Sequence, residues 1–192
     1  MDVLQSIRER RSVRAYAPRG LERAAIEALI AAAAQAPVPP ASGVRPWTFS
    51  VMRGAERLAI YGEQVKAFSR KHPPPGRAAW INDAAFKVFW GAPALVVISG
   101  RKDVEESAWD CCRAGQNLLL AAHALGLGAC WVGAPLAWLR TTAVADAFGI
   151  PRDFQAMAPI VVGYPDETPA PPRREPPMVA WRGEAPAEVQ PA

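Results

Sequence analysis

The sequence predicts one domain that mixes long helices with a small number of strands. Three observations carry this reading. A chain of 192 residues and 20.7 kDa fits one domain more readily than two. Its 51% hydrophobic content, with seven Trp and six Phe, supplies a substantial core. Its apolar positions fall mostly into long stretches with helical spacing, separated by a few short β-rich runs. With 21% charged residues the chain is not of the disordered class. No run of about 18 uncharged apolar residues occurs, so no conventional membrane-spanning helix is expected. The opening MDVLQSIRERR mixes both charge signs and lacks the apolar centre of a signal peptide. Together with only Cys111, Cys112 and Cys130, this makes a disulfide framework a poor reading and the cytoplasm the expected compartment.

In chain order, an amphipathic helix is predicted over about residues 2–10, with Asp2 as its cap and Val3, Leu4 and Ile7 as its apolar side. After Pro18 and Gly20, Leu21–Ala36 reads as a second helix, rich in alanine and with Leu21, Ala25, Ile26 and Leu29 at helical spacing. The prolines of 36–46 end it and lead through a loop into a short strand around Trp47–Met52. A helix from Ala55 to Phe68 is interrupted by HPPPG at 72–76, and a further helical segment is predicted over Ala78–Phe89. Together they form a lid-like helical excursion at about 55–90 within one domain, 1–192. Gly91 and Pro93 precede the apolar strand ALVVIS at 94–99. The longest apolar signal, residues 106–125, reads as a largely buried helix, central to the domain or to an interface between two copies. GLGACWVG then turns into a short extended segment, followed by a helix over Leu136–Phe148 and a buried strand at 157–164. Beyond that, the Pro-rich C-terminal arm at about 165–192 reads as extended, able to clasp another surface.

Several familiar chemistries find no footing. GLGACW at 126–131 has two glycines of a dinucleotide fingerprint, but Trp131 stands where a third small residue belongs, and a helix rather than a strand precedes it. A Walker loop is absent. Cys111 and Cys112 are adjacent on a predicted helix, so their side chains diverge by roughly 100°. Cys130 lacks a ligand-spaced partner, and buried structural thiols are the better reading, with no metal site. His123 reads as a packed or interface residue. Neither it nor His72 belongs to a nucleophilic triad, and Ser42 lacks a GxSxG setting.

The net charge of +4, from 22 basic and 18 acidic residues, favours phosphates or acidic small molecules without selecting nucleic acid. RERRSVR at 8–14 is the more specific signal. Arginine forks grip phosphate oxygens, and the Ser12 hydroxyl adds a hydrogen bond. A basic helix end can equally oppose the helix dipole, and the residues alone leave both readings open.

The ordered set IRERRSVRAYAP (7–18), PPASGVRPWTF (39–49), DCCRAGQNLLLAAHALGLGACWVG (110–133), APIVVGYPDE and the PPRREPP tail (158–177) resembles the nitroreductase family of FMN-dependent NAD(P)H oxidoreductases. The resemblance implies an α+β fold, a central, mostly antiparallel sheet surrounded by helices. It also implies an intertwined homodimer with FMN at the subunit interface. Arg10, Arg11, Ser12 and Arg14 match the N-terminal FMN motif, and Arg174 matches the tail arginine of the cofactor phosphate, with Arg173 assisting. Pro39, Pro40, Ala41 and Gly43 fall in the loop that lies beside the partner's flavin. Trp131, Val132 and Gly133 match the segment whose backbone borders the flavin ring.

The implied reaction takes hydride from NADH or NADPH onto flavin N5 and reduces a nitroaromatic, quinone or related acceptor by an alternating mechanism. Arg14 is the group implied to favour negative charge at the pyrimidine end, and the Gly133 amide is the group implied to orient N5. The flavin carries the redox chemistry, so no catalytic triad is required. The chain departs from the family's first-loop pattern: Pro40 replaces a serine, Gly43 an asparagine and Arg45 a glutamine. Pro40 offers neither hydroxyl nor amide, and Arg45 brings a fixed charge to the expected substrate pocket or points into solvent. The alternatives to an enzyme are a non-catalytic flavin-binding or storage protein and a structural homodimer with a remodelled site.

Overall fold

β2 (Ala94–Arg101) organises the molecule, because its seven residues Ala94–Gly100 are buried on both faces. The computed structural model describes residues 2–38, 46–74, 79–170 and 174–182. β4 (Phe154–Gly163) and β1 (Trp47–Arg53) flank β2, each antiparallel to it, and β3 (Gly128–Trp131) pairs antiparallel with β4, giving the order β1-β2-β4-β3. Val96 faces Val51 on one side and Ile160 on the other. The β2–β4 register shifts between Ile98, opposite Ala158, and Ser99, opposite Ala156, so Met157 is left unpaired as a bulge.

Strand alternation divides the core in two. Ala94, Val96, Ile98, Ile160 and Val162 point to the layer formed by α2 (Arg23–Ala33) and α5 (Ser107–Ala124), where Leu29, Leu118 and Ala122 meet them. Leu95, Val97 and Val161 point the other way, toward Leu58 and Val65 of α3 (Ala55–Lys71) and Trp138 and Leu139 of α6 (Leu136–Leu139). Each fully buried Leu, Ile or Val contributes about 1.5–3 kcal/mol. Exposed ion pairs such as Arg23–Glu27 are screened by solvent and contribute little. The two apolar layers therefore hold the fold. The helix-surrounded antiparallel sheet is the α+β architecture expected from the resemblance.

The elements differ from expectation in four places. The predicted helix over Ala78–Phe89 is only α4 (Ala79–Asn82). The Asp83 carboxylate accepts the Ala85 amide at 2.8 Å, and this local turn competes with helix continuation. The helix predicted over Leu136–Phe148 is two, α6 and α7 (Thr142–Ala147). Thr141 breaks it: its backbone is extended (φ −68°, ψ 143°) and its hydroxyl donates to the Trp138 carbonyl at 2.8 Å. α2 covers only Arg23–Ala33 of the predicted Leu21–Ala36, with Leu21 buried just before it. Finally, α1 (Val3–Glu9) buries only Ser6, while Val3, Leu4 and Ile7 are exposed. The segment 55–90 is partly built into the core, since Leu58, Val65, Val88 and Phe89 all belong to its second layer.

Candidate functional site

The site begins where α1 stops. The Arg10 amide still reaches the Ser6 carbonyl at 2.9 Å, but its backbone (φ −54°, ψ 133°) has left the helix. Arg11 turns back: its Nη1 donates to the carbonyls of Arg8 and Arg10, each at 2.8 Å, and so caps the negative end of α1. The two roles left open for the arginine cluster are thereby divided, with Arg11 serving the helix end and Arg10 swung away from it.

From Ser12 the chain runs alongside β3. Ser12 forms a parallel bridge with Ala129, and the Val13 amide donates to the Ala129 carbonyl at 3.1 Å. The glycines of GLG explain this fit. Gly126 has φ 72°, the left-handed conformation that lets the chain turn out of α5. Gly128 lies against Val13 so closely that a Cβ there would stand 2.7 Å from a Val13 methyl. The strap is tied at its far end too. The Tyr16 hydroxyl donates to the Val13 carbonyl at 2.7 Å, Tyr16 bridges Pro165, and the Ala17 amide donates to the Tyr164 carbonyl at 3.0 Å.

The electrostatics of this strap are those of an anion site. Burial, then the neighbouring charge of Arg174, then that of Arg11 hold the Arg10 guanidinium below its ordinary pKa. Arg10 therefore lies within the electrostatic reach of Arg174, from the opposite end of the chain. Beside Arg10 a cavity of about 210 Å³ is lined by Arg10, Arg11, Val13, His123, Ala129 and Thr168. Arg11 Nε and His123 Nε2 are buried with no hydrogen-bond partner among the described residues.

Cys130 is the residue that sequence reasoning left outside the site. It is buried, as a structural thiol should be, but among the side chains of the basic motif. Burial pushes its thiol pKa up, while Arg14, Ser12 and Arg10 each pull it back. Only the parallel bridge between Ser12 and β3 brings these groups together, and no local sequence signal reports that pairing. Burial likewise pushes the Tyr16 phenol far up. Arg14 itself lies over the indole of Trp90, 5.4 Å from the ring centroid.

Of the 131–133 segment, Trp131 turns its ring against Gly115 of α5, and Val132 is buried with its amide donating to the Pro159 carbonyl at 2.9 Å. Gly133 is exposed, and a Cβ there would meet nothing within 4 Å. The structure therefore brings Arg10, Ser12 and Arg14 onto one strap, with Arg174 in electrostatic reach of Arg10 and Gly133 just beyond the end of β3. Pro39, Pro40, Ala41, Gly43, Arg45 and Arg173 lie outside the described residues.

A strap of arginines laid along the β3 edge of a helix-covered antiparallel sheet, within the field of a tail arginine, has the donors to hold an anionic ligand. The chain belongs to the nitroreductase family, whose model matches residues 7–164. A protein of Methanothermobacter thermautotrophicus, provisionally named NADH dehydrogenase/NAD(P)H nitroreductase, is 35% identical over 173 residues, 88% of this chain and 80% of that protein. The FMN-bound nitroreductase of Bacteroides fragilis shares the fold with a TM-score of 0.82 at 23% identity, covering 95% of this chain and all (100%) of the other. A provisionally named nitroreductase of Desulfovibrio desulfuricans, solved in complex with FMN, gives a TM-score of 0.66 at 26% identity over 93% of this chain and 99% of its own.

Proposed function

We propose that the protein is an FMN-dependent NAD(P)H oxidoreductase that reduces a small electron acceptor of the nitroaromatic or quinone type. The observation that carries the proposal is the basic strap beside the cavity, where Arg10 stands partly buried next to Arg11 and within the field of Arg174. A phosphate dianion bound there would turn this concentration of like charge into charge-assisted contacts. The partnerless Arg11 Nε beside the same cavity adds a donor without an acceptor. The donor set therefore fits the phosphate end of FMN.

FMN, when bound, supplies the redox chemistry, accepting hydride at N5 and passing two electrons on. The chain's own residues do the rest. Arg10, Ser12 and Arg174 hold the phosphate, with Arg11 as a supporting charge fixed to the end of α1. Arg14 adds positive charge on the Cys130 side of the strap, where negative charge on a bound ring is favoured. The Gly133 amide makes no hydrogen bond to another described residue, and the open space around this glycine allows a flat ring to approach its backbone. Backbone donors of this kind orient a ring without any side chain to specify them.

The reading includes a homodimer. Val3, Leu4 and Ile7 on α1, Trp109 on α5, and Met178, Val179 and Trp181 in the tail are all exposed in the single chain. So much large apolar surface on adjoining elements supports a partner copy that covers it. Among the described residues no helix is long and apolar enough to cross a membrane, and the reading assigns the protein to the cytoplasm.

One experiment tests the function directly. The purified protein is expected to show flavin absorbance, and anaerobic NADH or NADPH should bleach it, with a quinone restoring the colour. A protein that carries FMN but resists both nicotinamides would be a flavin-binding protein without turnover. One that binds no FMN would overturn the proposal.

A further inference from the structure

Trp90 has φ 50° and is the one non-glycine residue with positive φ among the described residues. That left-handed conformation disfavours any residue with a side chain and is rare for one as bulky as tryptophan. Gly91 follows with φ 72°, and the pair turns the chain through Ala92 and Pro93 into β2. Glycine would make this turn at position 90 without strain. Strain retained at a bulky residue points to something its side chain does.

The indole has two neighbours that define its role. On one side stands Phe86, edge-on at 6.5 Å, itself packed on Trp80 at 5.5 Å, so an aromatic row backs the ring. The second neighbour is the Arg14 guanidinium, over the ring at 5.4 Å from its centroid and within the range of a cation–π contact. The same guanidinium is close enough to the buried Cys130 thiol for its charge to favour the thiolate. An exposed arginine on a strap would otherwise sample many rotamers, and fixing it needs a partner that leaves its charge uncompensated. A carboxylate would fix the side chain and cancel its field. An indole face fixes it and leaves the field intact.

We infer that Trp90 is a positioning residue: its strained turn and aromatic backing hold the Arg14 charge at the place where the pyrimidine end of the flavin is to bind, and so set how much more tightly the chain holds reduced than oxidised FMN. This rests on the flavin reading above and deepens it. It also gives the segment between α4 and β2 a part in the redox poise of the site.

The test uses the FMN-loaded protein and reads the flavin midpoint potential together with FMN affinity. Trp90→Leu should weaken binding of reduced relative to oxidised FMN about three- to fivefold, from the usual strength of an exposed cation–π contact. For a two-electron couple that is a fall of about 15–20 mV. Trp90→Phe, which keeps a ring face, should stay within about twofold of wild type. Trp90→Gly relieves the backbone and removes the ring, so it should shift the potential as the leucine variant does, even if the leucine variant folds poorly. In an Arg14→Ala background the position 90 substitutions should have no further effect on the potential. A potential unchanged in Trp90→Gly while Arg14→Ala still lowers it would overturn the inference and leave the flavin reading standing. So would an equal shift with and without Arg14, since Trp90 would then act on the fold alone. A wild-type chain that binds no FMN would overturn both.

Discussion

Arg10 and Arg174 carry the most direct consequences at the level of single residues. A hydrogen bond to a charged group is worth about 1.5–3 kcal/mol, so Arg10→Ala and Arg174→Ala should each weaken FMN binding by roughly 10- to 100-fold. Neither side chain belongs to the two apolar layers that hold the fold, and thermal unfolding of the apoproteins should stay close to wild type. Titration of apoprotein with FMN checks this, and unchanged affinity in both variants would remove the phosphate role. Gly128 acts through packing instead. A methyl there would stand 2.7–2.8 Å from Val13 atoms, and relief requires moving the strap. Gly128→Ala should cost about 1–3 kcal/mol of stability together with FMN affinity. The double variant with Val13→Ala should recover most of the affinity, and a failure to recover would show that the contact does not place the strap. Cys111 sets an alkaline limit. Burial, then Cys112, then Asp110 push its thiol from 9.0 up to about 12. Between those values the unfolded chain has released a proton that the folded chain retains, so stability is fully present below about pH 9 and falls as pH rises toward 12, by at most about 1.4 kcal/mol per pH unit. Urea midpoints at pH 8 and pH 10.5 should therefore diverge less in Cys111→Ala than in wild type.

Among the elements, α1 and α5 show what a sequence does and does not disclose. The helical spacing of Val3, Leu4 and Ile7 was legible, and an inward-facing apolar side was the natural reading. In the structure that side faces out, with Val3, Leu4 and Ile7 all exposed. Periodicity reports that a face needs cover and is silent on whether the same chain supplies it. Leu4→Glu puts a charge on that face, and should raise the dissociation constant of the proposed homodimer at least about tenfold from the lost apolar burial alone. Sedimentation at micromolar concentration would reveal monomer, and an unaltered dimer would exclude α1 from the interface. The strands were legible because β2 and β4 are apolar runs bounded by Gly and Pro. α5 was legible because its buried positions recur at helical spacing. The breaks at Asp83 and Thr141 were not, because each depends on one side chain outbidding a helical hydrogen bond, and helix propensity is indifferent to that competition. In the site, the RRSVR arginines were legible by type. That Arg11 folds back on α1 is a local choice among equivalent arginines that their type does not specify, while the places of Cys130 among the others and of Trp90 against Arg14 depend on long-range pairing of the strap with β3 and of 86–90 with the strap.

Taken whole, the molecule is a helix-covered sheet whose N-terminal strap holds Arg10 within the field of Arg174 in the tail. FMN bound there should stabilise the native state by about 2.7 kcal/mol at a hundredfold excess over its dissociation constant. The gain should be seen as a rise in melting temperature with added FMN, and Arg174→Ala should lose most of it at the same FMN concentration. A variant that kept the full gain would show that the tail takes no part in holding the cofactor. The same arrangement has a mechanical meaning. Force applied between the two termini reaches Arg10 and Arg174 before it reaches the sheet, because the tail carries no helix or strand of its own among its described residues beyond the Tyr16–Pro165 bridge. The cofactor is then a clasp under tension. A single molecule stretched by its ends should give up the tail at low force when empty and at a distinctly higher force when loaded, while the force that opens the sheet is the same in both.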